Sequence, residues 1–569
     1  MSLESSSKEL KEIVSTYNSD WWLGDLYFLI HAGRERAGDQ LAKLSSPLRQ
    51  LYYLAGLNIT SDPSKASEFS YVPTTWAQIL KLLNEIEGEY DKLFFPTKPE
   101  EVTEEWKRVR SVAMPSFLSY FNQGPLNFEE QVVNWINDLY KPLDPVIQAA
   151  TGCNTDDFIQ FYNNLDKLRK RNFQAHSTNK DLLRPNWEKY TKIKMGVADN
   201  VPDFIKKMGE RDKHLFSFMS DKGIIDRFYP EELVTELLPV EKVKNILSML
   251  SLQRVQGDFL YYTETRPGNP LFEKPILNIG EGMFQVFEVK QVAHAIDTLL
   301  ERVCCSNKAE TAKYTKVKGD LLEDRVADLF SQFFNSDFII HRGYFVDGCE
   351  QDILILWKDY TFIIEMKGYN MREPFRDPDK AFVRIKDDFK ASIGYGYEQT
   401  RRVERKFIDE VPLRITDHKG NLIAEIDTTQ YKQDFSIIVT LESFGQIQCD
   451  LSTLITLETE EDLYPWAVRL DDLETFLLTM LARKKKPMDL VHFLLLREAL
   501  HGKLICTDEL EIGGGFLTGK LKKGWVERAP VIKTAHELSD IFDEQYRKTL
   551  GFKNERYLDE KQGGKTLFW

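Results

Sequence analysis

The stretch that decides the fold runs from Gln351 to Gly368 and reads QDILILWKDYTFIIEMKG. Two apolar runs flank the polar pair Lys358-Asp359, a pattern that predicts two strands joined by a tight hairpin turn. If those two residues form the loop, counting back from it sets Asp352 opposite Glu365; a four-residue loop keeps this pairing and a three-residue loop breaks it. Directly opposed residues have Cβ atoms about 5 Å apart on the same face of a sheet, so the two carboxylates are expected to meet.

A lysine follows the second of these two acids in the sequence. Lys367 lies two residues beyond Glu365 and therefore projects from the same face of the strand. Its ammonium is expected beside both acids, where it can hold or polarise an attacking water. Mg²⁺ suits such a site because it binds a few carboxylate oxygens together with water and phosphate oxygens, and Mn²⁺ is an expected substitute. A bound metal lowers the pKa of its water and stabilises the charge that builds on a phosphodiester.

A third acid precedes the hairpin. Residues 318–334 have helical periodicity, and Glu323 lies near the start of that predicted helix. Its neighbour Leu322 falls on the apolar face, so Glu323 borders the buried side, where an acid is costly unless it binds something. Asp320 and Asp324 are alternatives that lie further toward solvent.

These residues carry a family resemblance. Glu323, Asp352 and Glu365-Met366-Lys367 stand in the predicted order helix, three strands, helix, strand. Over roughly residues 313–443, this arrangement resembles the PD-(D/E)XK nuclease superfamily. The resemblance implies a restriction-endonuclease-like α/β core in which Asp352 and Glu365 ligate Mg²⁺ and Lys367 assists the water. It also implies that Glu323 is the acid that many members carry on the first helix.

Two glutamines bear on this resemblance. Gln399, on the predicted polar helix 379–407, resembles the glutamine that some subfamilies place on the helix after the motif. Gln351 precedes Asp352 where a proline stands in the motif's name, a departure that is common in the superfamily. In isolation, Glu-x-Lys at a strand end is usually a solvated ion pair, and a polar helix residue such as Gln399 is usually simply exposed.

The helix with Gln399 also supplies candidate contacts to nucleic acid. Four cations follow on it and are placed to contact phosphates next to the acids: Arg401, Arg402, Arg405 and Lys406. The alternative is a helix face that is simply solvated. None of these cations implies base recognition, so no sequence specificity is expected. DNA is favoured over RNA as the nucleic acid, although nothing in the sequence excludes RNA.

Composition limits the class of protein. The 569 residues carry a formal net charge of −14, with 42% hydrophobic and 29% charged residues, as expected for a globular chain of several domains. An acidic chain has to bind nucleic acid through local basic patches. Six cysteines without regular spacing predict no disulfide framework, and no apolar stretch reaches the length of a membrane span. The first residues lack the apolar core of a signal peptide, so a cytoplasmic location is expected.

The overall prediction is an α+β multidomain fold. Its four parts are a large, mostly helical N-terminal region (1–268), a β/helix connector (269–312), the nuclease core with a mixed sheet (313–445) and a helical C-terminal cap (446–569). The N-terminal region is expected to regulate the nuclease, to form homo-oligomers or to engage a protein partner. No membrane contact is expected.

The expected function is Mg²⁺-dependent hydrolysis of phosphodiester bonds by an endo- or exonuclease. A resemblance to stand-alone nucleases of bacterial defence islands suggests a role in antiviral defence. The alternative is a catalytically inactive scaffold that keeps the nuclease fold and binds nucleic acid or a protein partner. All four polar residues of the motif are present, which argues against a decayed site.

Overall fold

A computed structural model provides the structure of the protein. It describes residues 2–31, 44–68, 73–96, 98–122, 127–177, 221–262, 267–369, 371–459, 462–549 and 551–552. The chain divides into two compact units, the first built from Met1–Tyr90 and Val132–Tyr314 and the second from Asp91–Gln131 and Thr315–Lys565. No helix among the described residues combines the length and the apolar character needed to cross a bilayer.

The protein is α+β, as predicted, with helices toward both ends and a large mixed sheet in the central part of the chain. The α-helices are, in chain order, α1 (Leu3–Ser15), α2 (Ser19–His31), α3 (Pro47–Ile59), α4 (Pro73–Asp91), α5 (Glu104–Asn122), α6 (Glu129–Tyr140), α7 (Asp144–Thr151), α8 (Thr155–Ser177), α9 (Val240–Leu250), α10 (Val289–Cys304), α11 (Lys308–Phe334), α12 (Pro378–Phe389), α13 (Tyr395–Ile408), α14 (Gln446–Cys449), α15 (Leu470–Ala482), α16 (Pro487–Glu498), α17 (Glu509–Leu517), α18 (Lys523–Val526) and α19 (Asp540–Thr549).

The strands form three sheets in the described part of the chain. They are β1 (Arg227–Phe228), β2 (Ser251–Leu252), β3 (Ile276–Gly280), β4 (Met283–Val286), β5 (Phe338–Val346), β6 (Cys349–Trp357), β7 (Tyr360–Lys367), β8 (Leu413–Thr416), β9 (Leu422–Ile426), β10 (Gln433–Thr440), β11 (Trp466–Arg469), β12 (Leu504–Ile505) and β13 (Ile532–Lys533). The first unit holds a small sheet in the order β1-β4-β3-β2. The strands and the helix expected in the connector are present as β3, β4 and α10.

The second unit is organised around a seven-stranded mixed sheet in the order β11-β10-β7-β6-β5-β8-β9. β5, β6 and β7 form an antiparallel meander, and β10 lies parallel to β7. The predicted order of helix, three strands, helix and strand is confirmed, because α11 precedes β5 and the helices α12 and α13 lie between β7 and β10. Strand β11, which pairs parallel with β10, lies where the sequence predicts only the helical C-terminal cap.

The register of the β6–β7 hairpin follows the prediction. Trp357 pairs with Tyr360, and the pairing continues without slippage to Ile353 and Ile364. The chain turns at Lys358, whose φ of 51° lies in the left-handed region that a two-residue turn uses. The next residues beyond the last pair are Asp352 and Glu365, so the two acids stand at the open end of the hairpin.

Helices cover both faces of the sheet. On one face, the ring of Phe334 in α11 packs against Trp357 and Phe362. On the other face, Leu354 and Ile363 share a buried cluster with residues of α13. Because side chains alternate between faces along a strand, both acids and Lys367 belong to the face that α13 covers.

The predicted helix 379–407 is interrupted. The structure has two α-helices, α12 and α13, joined by a π-helical turn at Lys390–Gly394. A π turn inserts an extra residue and so rotates the side chains that follow relative to those before it. Amphipathic periodicity does not reveal such an insertion, and for this reason the sequence predicts one continuous helix.

One helix of the N-terminal half belongs with the large sheet. Helix α5 lies in the second unit, although the sequence places it in the region 1–268. Arg110 Nη1 lies 3.3 Å from Asp379 Oδ1, and the guanidinium of Arg108 stacks on the ring of Phe382. Helix α5 therefore packs on α12, which leads into the helix beside the acids.

Candidate active site

The β6–β7 hairpin brings Asp352 and Glu365 together as predicted. The backbone N–H of Asp352 donates to Glu365 Oε1 at 3.2 Å. In return, the N–H of Met366 donates to Asp352 Oδ2 at 2.7 Å. Each acid is thus held by the backbone of the opposite strand at the point where the regular strand pairing ends. These bonds fix the position of both carboxylates relative to the sheet.

Lys367 lies beside both acids, also as predicted. Its Nζ is 3.1 Å from Glu365 Oε2 and 4.0 Å from Asp352 Oδ2. It also donates to the carbonyl oxygen of Met366 at 3.1 Å. Only 11% of the lysine side chain is exposed, whereas 27% of the Asp352 side chain is. The ammonium is therefore held in place, and Asp352 is the acid that faces solvent.

Burial controls the protonation of Glu365. Its side chain is fully buried, and burial, together with the charge of Asp352, raises the pKa of Glu365 to about 8. Lys367 and the amide of Asp352 oppose this shift. Without a cation, Glu365 therefore keeps its proton at neutral pH. Any divalent cation that binds both carboxylates has to displace that proton.

Glu323 is bonded to an arginine. Arg342 Nε donates to Glu323 Oε1 at 3.1 Å, and Nη2 of the same guanidinium donates to Asp324 Oδ1. Burial raises the pKa of Glu323, Arg342 lowers it, and the charge of Asp352 raises it again. Glu323 thus lies near enough to the acids to feel their charge, while its own carboxylate is held by Arg342. Asp320, one of the alternatives, pairs with Lys316 at 2.7 Å.

The donor set fits a cation that takes few protein ligands. Within the described ranges, no group of three or more His, Cys, Asp or Glu side chains is arranged to hold a metal. Asp352 and Glu365 supply two adjacent carboxylates, and the hydrogen bonds of Asp352 engage only its Oδ2. Two carboxylates suffice for Mg²⁺, which fills its remaining positions with water and phosphate oxygens. The residues present therefore fit Mg²⁺, and by the same chemistry Mn²⁺, better than a cation that needs an all-protein cage.

Gln399 lies against the start of β6. Its Nε2 approaches the carbonyl oxygen of Glu350 at 3.5 Å. Its Oε1 is buried and has no hydrogen-bond partner among the described residues, and the same holds for Oε1 of Gln351 and the hydroxyl of Tyr344. Buried polar atoms without partners are rare and point to water or a ligand nearby. Gln399 therefore contacts the strand that leads into Asp352, and its buried Oε1 is left to bond water or a ligand.

Tyr344 is a site residue that sequence reasoning missed. Its side chain is buried, and burial together with the charges of Glu365 and Asp352 raises its pKa well above the ordinary value. The hydroxyl therefore stays protonated and is able to donate a hydrogen bond near the two acids. No sequence signal identifies it, because a tyrosine in an apolar strand is most often a core residue.

Gly396 is a second residue that was missed. A Cβ added at this position would lie 3.0 Å from Ile438 Cγ2 and 3.3 Å from Lys367 Cε. The absence of a side chain therefore lets α13 approach β10 and the lysine closely. The alternation Gly394-Tyr395-Gly396-Tyr397 is the sequence signal that could have indicated a close helix–sheet contact.

The four candidate phosphate-binding cations differ in their surroundings. Arg401 is 7% exposed, and its Nη1 lies 2.6 Å from Asp462 Oδ2. Arg405 pairs with Glu458, and Lys406 Nζ lies 2.8 Å from Asp347 Oδ2. The expected phosphate contact of Arg401 thus finds no support, because its guanidinium is buried in an ion pair. Arg402 is half-buried, and no ion pair joins it to another of the described residues.

The arrangement as a whole is two carboxylates and an amine at the open end of a hairpin, with Glu323 tied to Arg342 nearby. The likeness to PD-(D/E)XK nucleases rests on these residues and on the order of the surrounding elements. Comparison of the chain with protein-family models, with curated proteins and with solved structures finds no match.

Proposed function

We propose that this protein is a Mg²⁺-dependent nuclease that hydrolyses phosphodiester bonds of DNA. The observation that carries the proposal is the reciprocal pair of Asp352 and Glu365 with the Lys367 ammonium 3.1 Å from Glu365. Two acids and one amine, fixed by strands rather than by loops, are what metal-assisted attack of water on a phosphodiester requires. The order of helices and strands around them supports the same reading by analogy.

Each residue has a distinct part in the proposed reaction. Asp352 and Glu365 would hold Mg²⁺, which polarises the phosphate and lowers the pKa of a bound water. To serve as a ligand, Glu365 would have to release its proton to solvent, because its pKa is raised to about 8. Lys367 orients the attacking water and offers positive charge to the phosphate oxygen that becomes more negative. Gln399 donates to the carbonyl oxygen of Glu350 at the start of β6, and its Oε1 and the hydroxyl of Tyr344 would bond water or substrate near the acids.

The proposal is tested with purified protein on supercoiled and linear DNA, with MgCl₂ or with EDTA. Asp352→Asn and Lys367→Met should each abolish cleavage. The matched controls are Asp359→Asn and Lys432→Met, an ion pair at the turn end of the same hairpin. That pair is exposed and contributes little to stability, so both controls should cut like the parent. RNA is assayed in parallel.

Two results would contradict the proposal. One is the absence of Mg²⁺-dependent cleavage of any tested nucleic acid by folded protein, which would favour the non-catalytic scaffold. The other is cleavage that persists unchanged in Asp352→Asn and Lys367→Met, because the activity would then belong to a contaminant or to another site. Circular dichroism and thermal melting confirm that each variant is folded before it is compared.

A further inference from the structure

An exposed aromatic ring lies directly beside the reactive amine. Tyr395 is the first residue of α13, immediately after the π-helical turn, and 53% of its surface is exposed. Lys367 Nζ lies 5.5 Å from the centroid of its ring. A phosphate bound by the ammonium would therefore bring its own nucleotide close to the ring.

A second partly exposed ring follows the motif along the chain. Tyr369 follows Lys367 by two residues and is 37% exposed. Its hydroxyl donates to Asp388 Oδ1 at 3.1 Å, and Asp388 is itself buried and held by Arg372 Nε at 2.7 Å. The ring is therefore anchored through its hydroxyl while part of its surface remains open to solvent. This anchoring of Tyr369 lowers the entropy lost when a planar ligand stacks on its ring.

Exposed aromatic rings suit unpaired bases. In a duplex both faces of an internal base are already covered by its neighbours, whereas a base in a single strand offers its face to a side chain. Stacking of a base on an aromatic side chain is favourable and independent of base identity, because every base has a π face. This agrees with the expectation that the cations on the helix with Gln399 do not read bases.

We infer that the site takes single-stranded DNA, with one base stacked on Tyr395 and a neighbouring base on Tyr369. The inference rests on the proposed function for the phosphate at Lys367, and it names the substrate class of that site. Exposure of a tyrosine is not sufficient evidence for this inference, because Tyr229 in the first unit is 44% exposed and lies far along the chain from the acids. The inference depends on the position of the Tyr395 ring next to the amine of Lys367.

Binding is measured by fluorescence anisotropy in EDTA, with a labelled oligothymidylate and with a labelled duplex of equal length. Tyr395→Ala should weaken binding of the oligothymidylate about tenfold or more, the size expected for one lost base–ring stack. Tyr395→Phe, which keeps the ring, should bind like the parent. Tyr229→Ala is the matched control and should bind like the parent.

An oligothymidylate with abasic positions tests whether the ring contacts a base. The parent should lose affinity for the abasic strand, and Tyr395→Ala should show a much smaller difference between the two strands. Equal binding of the oligothymidylate by the parent and Tyr395→Ala would overturn the inference. So would failure of the parent to bind it, or binding of the duplex with the same dependence on Tyr395.

The measurements separate this inference from the proposed function. Because EDTA prevents metal-dependent cleavage, Tyr395-dependent binding of single strands can be found even if the protein cuts nothing, and only the nuclease proposal then fails. Conversely, Mg²⁺-dependent cutting of duplex and single strands that is unchanged in Tyr395→Ala sustains the nuclease proposal and overturns the inference.

Discussion

Asp352 and Glu365 face each other at the end of a hairpin, and the carboxylate of Glu365 accepts a hydrogen bond from the backbone of Asp352 at 3.2 Å. The two acids differ in exposure, because Glu365 is fully buried and Asp352 is partly open to solvent. This asymmetry raises the pKa of Glu365 to about 8. The buried acid therefore holds a proton at neutral pH, and under the proposed function it would exchange that proton for a cation. The predictions on pH and Mg²⁺ depend on this exchange.

Stability should depend on pH through Glu365. Its pKa is about 8 in the folded protein, against an ordinary value of 4.5, so the folded state holds the proton to higher pH than the unfolded chain. The stability from this group is fully present below about pH 4.5 and is lost as the pH rises toward 8. Glu365→Gln stays neutral and should flatten the fall in melting temperature over that range.

The control for this titration is a second buried acid. Burial also raises the pKa of Glu404 to about 8, so Glu404→Gln should flatten the pH dependence of the melting temperature as well. It should leave Mg²⁺ binding unchanged, unlike Glu365→Gln. A Glu365→Gln variant whose melting temperature follows the parent at every pH would contradict the assignment of the raised pKa.

Mg²⁺ should stabilise the protein in the absence of DNA. A ligand that binds only the folded state raises the melting temperature with its concentration, and the rise should be larger at pH 8 than at pH 6, where Glu365 holds its proton more firmly. Differential scanning fluorimetry with MgCl₂ and with MnCl₂ measures the rise. Asp352→Asn should remove it and Asp359→Asn should keep it; an equal rise in both variants would place the cation elsewhere.

Gly396→Ala should impair activity and stability together. The added methyl would lie 3.0 Å from Ile438 Cγ2 and would push on Lys367 Cε at 3.3 Å, so α13 has to move away from β10. Overpacking of this kind costs about 1–3 kcal/mol. Chemical denaturation measures the loss, and cleavage assays measure the displacement of the lysine.

Gly394→Ala is the matched control for this change. Its added Cβ would meet the carbonyl oxygen of Phe389 at 3.5 Å and Lys390 Cβ at 3.7 Å, which are ordinary contacts. This variant should therefore keep both stability and activity. Because alanine favours a helix more than glycine does, equal losses in the two variants would contradict a specific role for the close approach at Gly396.

Substitutions of the neighbours Arg401 and Arg402 should change different properties, the stability of the protein in one case and its DNA binding in the other. Arg401→Met removes the guanidinium from the buried Asp462, which keeps only the N–H groups of Glu458 and Thr459, and should destabilise the protein by about 1–3 kcal/mol. Arg402→Met should leave the free energy of unfolding nearly unchanged and should reduce the salt dependence of DNA binding. Denaturation and anisotropy titrations at several salt concentrations distinguish the two. A stable Arg401→Met variant would contradict the structural role of that ion pair.

Local patterns in the sequence predicted the central part of the site. The β6–β7 hairpin follows from two apolar runs and a two-residue loop, and the period of two along a strand then puts Asp352, Glu365 and Lys367 on one face. These inferences need only neighbours along the chain or across one turn. For this reason the register and the meeting of the acids are confirmed.

Features that depend on distant residues were not predictable in the same way. Arg401 looks like a member of a basic helix face, but Asp462 from beyond β10 buries it. Glu323 looks like a free acid, but Arg342 from β5 bonds to it. The π turn at Lys390–Gly394 has no periodicity of its own. Each of these three features depends on a tertiary contact or on a one-residue insertion, and an amphipathic pattern in the sequence reveals neither.

The packing of α5 on α12 determines which fragments of this protein can be expressed with the second unit intact. The second unit needs Asp91–Gln131 as well as Thr315–Lys565, so neither unit is one uninterrupted stretch of chain. A truncation that starts at residue 313 to isolate the part with the two acids would remove Arg110 and Arg108 from their partners on α12. A fragment that joins 91–131 to 315–565 through a linker would keep those contacts. Comparing that fragment with the full chain would show what the rest of the N-terminal half contributes.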